Sequence, residues 1–252
     1  MVAALALALV ASAAWAGPPL VTDDPVPTAW RHWEVVTPLT LESADGNRLY
    51  QTPGLDANYG AGKNLQLTMG TGIEWTQPST PGAPRWSDLE LAAKYRFLNW
   101  GRDDHHTQLG LFPRVIVPGN ASWSDLTWTS VDREWPIVWL QEIGPRTRLY
   151  GDVHVTTLHA PAERSPWFAG VAFEREASER LTWTGEAYWQ GADSGDAADV
   201  RGFNLGFIRT LFASKSDEDT GIALLFAGGW TSATDLELYA GPRFVFGGSS
   251  HR

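Results

Sequence analysis

No cysteine occurs anywhere in the 252 residues. That absence excludes a disulfide scaffold, a Cys-ligated zinc site and thiol catalysis. Basic residues are scarce as well: 19 Lys and Arg stand against 29 Asp and Glu, for a formal net charge of -10. A nucleic-acid partner needs a basic surface, so none is expected. After the N-terminus no run reaches the ~18 continuous apolar residues of a helical membrane span. Enzymatic signatures are missing too. There is no Walker loop, no H-E-x-x-H and no G-x-S-x-G elbow, so the chain reads as a non-enzyme without a cofactor or a metal.

What the chain does contain is turn chemistry and rings: 25 Gly, 16 Pro and 14 Trp. The run 236–246 shows how they are used. Leu236, Leu238, Ala240, Pro242, Phe244 and Phe246 fall on one face, and Glu237, Tyr239, Gly241 and Arg243 on the other. This is the period-two pattern of a strand with one apolar and one polar side. Similar runs are expected at 33–42, 51–59, 65–75, 86–97, 107–117, 135–143, 147–158, 167–176, 181–190, 202–210, 221–230 and 236–246. Twelve is an even number, as single-chain bacterial barrels prefer. The fold expected is all-β, a closed antiparallel transmembrane β-barrel over residues 30–246.

The flanks complete this plan. Residues 1–16 carry an apolar Ala, Leu and Val run followed by Ala14-Trp15-Ala16, which fits a signal peptide cleaved after Ala16. Residues 17–29 are rich in Pro and Asp, and are expected as an irregular periplasmic segment lying before the barrel. Residues 247–252 form a tail. With a periplasmic start, the links near 43–48, 76–85, 118–134, 159–166 and 191–201 fall outside the cell. The links 98–106 and 211–220 are long for periplasmic turns, and 231–235 is short for an external loop. Trp75, Trp86, Trp135, Trp167, Trp189 and Trp230 then end strands on the external side, against Trp33, Tyr59, Phe97, Trp100, Phe173 and Phe246 on the other. These are two aromatic girdles of the kind that sits at bilayer headgroups.

Strand parity separates lipid-facing from lumen-facing positions, because a charge in hydrocarbon costs ~2 to 4 kcal/mol at the midplane. The interior so defined holds Glu34, Asp56, Glu74, Glu90, Asp152, Glu174, Glu186 and Glu237, with Lys94, Arg96, Arg114, Arg148 and Arg243 as counter-charges. Two readings of that lining stay open: charges that select solutes in a pore, or an ion-pair network that fills a narrow barrel. Phe112, Tyr150, Phe168, Tyr188 and Tyr239 leave room for an aromatic solute. The cluster Asp103-Asp104-His105-His106 has the donors of a divalent-metal site, but reads as a solvated turn. His154 beside Asp152 is the position that an outer-membrane hydrolase would use as a base, although no Ser is picked out beside it.

Several segments resemble outer-membrane transporters grouped with the meta-pathway phenol-degradation proteins: Thr22-Asp23-Asp24-Pro25, Arg31-His32-Trp33-Glu34, 54–60, Asn64-Leu65-Gln66-Leu67, 88–97, 109–114 and 202–206. The likeness spans most of the mature chain. It implies a porin-like barrel in the outer membrane of a Gram-negative bacterium, passing small solutes, aromatic or hydrophobic compounds among them. Its partners would be outer-membrane lipid and lipopolysaccharide, the solute, and the barrel assembly machinery. Such barrels commonly end on an aromatic residue, whereas Gly247 to Arg252 follow Phe246 here. An enzyme acting on lipid or lipopolysaccharide, and a structural barrel with a plugged lumen, are the alternatives.

Overall fold

The structure, a computed structural model, describes residues 19–77, 84–102, 105–119, 121–122, 124, 126–159, 164–194, 197–214 and 220–248. The expected signal peptide and the last four residues of the tail lie outside that set. Among the described residues there is no α-helix, and the strands form one closed antiparallel sheet of twelve staves. β1 (His32–Val36) and β2 (Leu39–Ala44) make the first stave, and β3 (Asn47–Gly62) and β4 (Leu65–Gln77) the next two. β5 (Arg85–Trp86) continues into β6 (Leu89–Arg102), β7 (His105–Leu111) into β8 (Arg114–Val117), and β9 (Asp132–Glu134) into β10 (Ile137–Glu142). The remaining six staves are β11 (Thr147–Thr157), β12 (Trp167–Ser178), β13 (Leu181–Gln190), β14 (Val200–Ala213), β15 (Gly221–Thr231) and β16 (Leu236–Gly247). β16 pairs back on β1 from His32↔Gly247 to Val36↔Arg243, and on β2 from Leu236↔Ser43 to Ala240↔Leu39. The sheet therefore has no free edge, as a strand protein in lipid requires.

Proline explains three of the four staves that come in two pieces. Pro38, Pro113 and Pro136 each fall between segments, where the missing N–H interrupts the ladder. Their carbonyls still serve it: Gly54 donates to Pro38 (2.9 Å), Ala93 to Pro113 (3.1 Å) and Phe112 to Pro136 (3.0 Å). Two links are shorter than the sequence suggested. Residues 98–102 and 105–106 continue the β6–β7 ladder through Asn99↔Gln108, Trp100↔Thr107, Gly101↔His106 and Arg102↔His105, and β14 extends to Ala213. The link between β2 and β3 is a two-residue turn, Asp45 (φ 50°) and Gly46 (φ 77°), the left-handed pair that matches strand twist in a tight hairpin. Asp103 and Asp104 lie outside the described residues, while His105 and His106 sit on β7 and His106 Nδ1 lies 3.2 Å from Asn99 Oδ1.

Alternation sets the two faces. Leu67 and Met69 on β4, Leu91 and Tyr95 on β6, Val171 and Phe173 on β12, and Phe203 and Leu205 on β14 are exposed, while Gln66, Thr68, Glu90, Lys94, Ala172 and Asn204 between them are buried. An apolar belt therefore surrounds a polar interior, the reverse of a water-soluble domain. The staves end in two rims. The turn rim carries the chain ends at Arg31 and Gly247 and the reversals after Gly62, Glu142 and Ser178; the loop rim carries the connections after Gln77, Val117, Thr157 and Gln190.

The interior is filled in a way the sequence reading missed. Residues 17–29 were expected before the barrel, but the described part, from Pro19 onward, runs inside it. Arg31, in the left-handed region (φ 65°), turns the chain into β1 as its N–H donates to Gly60 O (2.8 Å). A Cβ on Gly60 would stand 2.0 Å from Ala29 O, so only glycine admits the segment there. The physical reason for the placement is complementarity. Leu20 packs among Leu140, Tyr150, Ala172 and Ala227, and Asp23 meets cationic side chains of the wall.

Candidate functional site

The lumen has two unlike walls. From β6 to β11 it is ionic, with Glu90, Lys94, Arg114, Glu134, Asp152 and His154 all buried. From β14 round to β1 it carries an apolar cluster, where Val36, Ile208, Ala223 and Leu225 pack together against Tyr239, beside the partly exposed pair of Arg243 and Glu34. The N-terminal segment bridges the two. Val21 and Thr22 donate their N–H groups to the two oxygens of Glu186 (2.8 and 2.7 Å), which also accepts from Asn204 Nδ2 (2.7 Å). Asp23 N–H donates to Asp152 Oδ2 (2.9 Å). Thr28 N–H donates to Gln66 Oε1 (2.8 Å), and the Gln66 amide donates to Asn58 (2.7 Å). Backbone groups of an irregular segment thus find partners in wall side chains, as buried peptide groups require.

Arg114 is the centre of the ionic wall. Its guanidinium is 1% exposed, is ion-paired through Nη2 with Asp23, and lies 3.3 Å from Glu134 and 4.0 Å from Glu90. Lys94 Nζ stands 3.8 Å from the other Asp23 oxygen. Both cations lie 4.6 Å from the centroid of the Phe112 ring, an arrangement that adds cation–π attraction to the ion pairs. His154 extends the network, with Nδ1 3.0 Å from Asp152, Nε2 3.8 Å from Glu134 and its ring stacked on Phe168. Both ring nitrogens face carboxylates, so His154 is a link in the polar network of this wall. A base serving a hydrolytic nucleophile would face a hydroxyl instead.

A cavity of about 490 Å³ remains beside the segment on the turn-rim side. Glu34, Asp56, Lys94 and Arg243 line it, with Asp24 from the segment itself. Its ion pairs are loose: Arg243 to Glu34 at 3.8 Å and Arg148 to Glu174 at 3.8 Å, all four partly exposed to the lumen.

The structure divides the ten residues singled out from sequence into three groups. Lys94, Arg114, Asp152 and Glu186 hold the N-terminal segment, with Glu90 behind Arg114; Glu34, Asp56 and Arg243 line the cavity with Lys94. Glu74 and Arg96 stand apart at opposite rims. Glu74 accepts from Arg85 Nε (2.6 Å), and Arg96 donates to Asn64 (3.0 Å) and Gln108 (3.0 Å). Sequence reasoning missed Asp23, Gln66 and Glu134. Glu134 was lost because its short strand precedes Pro136 and read as loop. Asp23 had only its place in the Thr22-Asp23-Asp24-Pro25 run to mark it. Among the described residues no group of three or more His, Asp or Glu side chains could hold a metal ion.

No family model matches the chain, and no curated protein does. Solved structures do. The outer membrane channel of Pseudomonas putida F1 aligns with 15% identity over 86% of this chain and 96% of its own, at a TM-score of 0.60. The NanC porin aligns at 9% identity over 84% and 98% of the two chains (TM-score 0.49), and the CymD monoaromatic hydrocarbon channel at 7% over 89% and 90% (TM-score 0.45). At 15% identity the first of these likenesses is one of fold.

Proposed function

We propose that this chain is an outer-membrane channel that passes small solutes passively, without catalysis, and that its N-terminal segment holds it closed at rest. The observation that carries the reading is the pairing of an apolar outer belt with an ionic lumen that keeps a cavity beside an irregular segment outside the sheet. A barrel with this outside belongs in hydrocarbon, and a barrel with this inside is wet. Trp86, Trp135 and Trp189 near the loop rim, and Trp33, Phe97 and Phe246 near the turn rim, are exposed and supply the two headgroup girdles. The longer connections then face outward and the turn rim faces the periplasm. Outer-membrane lipid and lipopolysaccharide surround the belt, and the barrel assembly machinery inserts it after signal removal. Aromatic and other hydrophobic compounds are the solute class implied by the family resemblance.

The test is single-channel conductance of the refolded protein in planar bilayers. Glu74→Ala and Arg96→Ala, one at each mouth, are expected to move ion selectivity in opposite directions. Absence of conductance and of solute uptake by liposomes, both for the intact chain and after deletion of residues 19–29, would refute the channel. The segment in the lumen also supports a second reading, a permanently filled structural barrel. In that case the intact chain passes no solute, and conductance arises only when residues 19–29 are deleted.

A further inference from the structure

Asp23 is a carboxylate brought into the lumen by a segment that the sheet does not need in order to close. The groups that receive it belong to the sheet. Arg114 and Lys94 contact its two oxygens from adjoining staves, and both rest against Phe112, which is 2% exposed. Arg114 keeps Glu90 and Glu134 when Asp23 leaves, and Lys94 keeps only the longer-range attraction of Asp56, since its one direct ion pair among the described residues is with Asp23. The position that Asp23 holds between Lys94 and Arg114 is thus shaped for a carboxylate.

We propose that Lys94, Arg114 and Phe112 form a receptor for the carboxylate of a small organic acid, and that Asp23 occupies it as an internal stand-in which the solute displaces. The proposal rests on the channel reading, because only in a channel does the displaced segment open a path. Exchange of one carboxylate for another leaves the charge of the site unchanged. Addition of a second would set it against Glu90, Glu134 and Asp152, so binding is competitive with Asp23. A group tethered by a short flexible segment competes at an effective concentration on the order of millimolar. A solute acid therefore has to reach millimolar levels to open the lumen. An uncharged solute of the same shape has no claim on the site, and a cationic one is repelled by Lys94 and Arg114.

The absence of native cysteine gives a clean probe. Thr22 is fully buried beside Asp23, so a Thr22→Cys variant of the mature chain in detergent should react slowly with a charged maleimide. Sodium benzoate at tens of millimolar is expected to accelerate labelling several-fold over sodium chloride at equal ionic strength, and benzyl alcohol and benzylamine are not. With Asp23→Ala added, labelling should be fast and indifferent to benzoate. Leu20→Cys, at a buried neighbouring position, repeats the measurement should Thr22→Cys fail to fold. A benzoate-independent rate, an equal response to benzyl alcohol, or a benzoate response surviving Asp23→Ala would each overturn the receptor. Labelling does not depend on conduction, so a benzoate response from a protein silent in bilayers would sink the channel reading alone.

Discussion

Replacing Arg114 by Met removes the one cation that three buried carboxylates share. The Arg114 side chain is 1% exposed, and its partners Asp23, Glu90 and Glu134 are between 1% and 6% exposed. Breaking a buried pair by deleting one partner costs about 3–5 kcal/mol, since the charge left behind is desolvated without compensation. That is at least a hundredfold in the folded-to-unfolded ratio. Arg148→Met is the matched control. Its side chain is 49% exposed and lies 3.8 Å from Glu174, so its loss should cost about 0.2–1 kcal/mol. The assay is urea unfolding and refolding in phosphatidylcholine vesicles, followed by Trp fluorescence and by heat-modifiable migration on gels. Adding Glu134→Gln to Arg114→Met should recover more than adding Asp23→Asn, because the N-terminal segment can carry Asp23 out to water whereas Glu134 is fixed in the wall. An Arg114→Met variant no less stable than Arg148→Met would refute the assignment of Arg114 as the buried centre of the lumen.

The remaining predictions concern the faces, the segment and a turn. Leu91→Arg puts a charge on the outward face, flanked by Met69 and Val115. It should cost ~2–4 kcal/mol near the midplane, read as lost refolding yield into vesicles. Gly170→Val should expel the segment, because its Cβ would stand 2.2 Å from Thr22 Oγ1 and 2.9 Å from the Phe168 ring. Protease would then cut within residues 19–30 while the barrel stays heat-modifiable, and conductance would rise. Gly46→Val meets nothing within 4 Å but needs φ near +77°. It should cost about 1–2 kcal/mol of refolding free energy with no change in conductance.

The staves were legible because their signal is local. Each carries its own alternation, and the price of a charge in lipid decides which side is which, so the inward placement of Glu90, Lys94 and Arg96 followed from β6 alone. Proline breaks were visible in the same way, yet the runs were carried through Pro38, Pro113 and Pro136, whose carbonyls keep the ladder going. The filled lumen was not legible. Residues 19–30 have no periodicity, and what holds Asp23 is spread over Lys94, Arg114 and Asp152 on three different staves. A polar inward face looks the same whether it meets water, a solute or a piece of its own chain.

The seam at which β1 and β2 meet β16 joins the first strand of the sheet to the last. Until that seam zips there is no inside, and residues 19–30, though made first, have nowhere to go. Ordering them costs about 1–2 kcal/mol per residue in lost backbone freedom, which nothing offsets until Glu186, Asp152, Arg114 and Gln66 stand on one closed circumference. Docking of the segment therefore depends on closure: the last part of the fold to form is the part encoded first in the described chain.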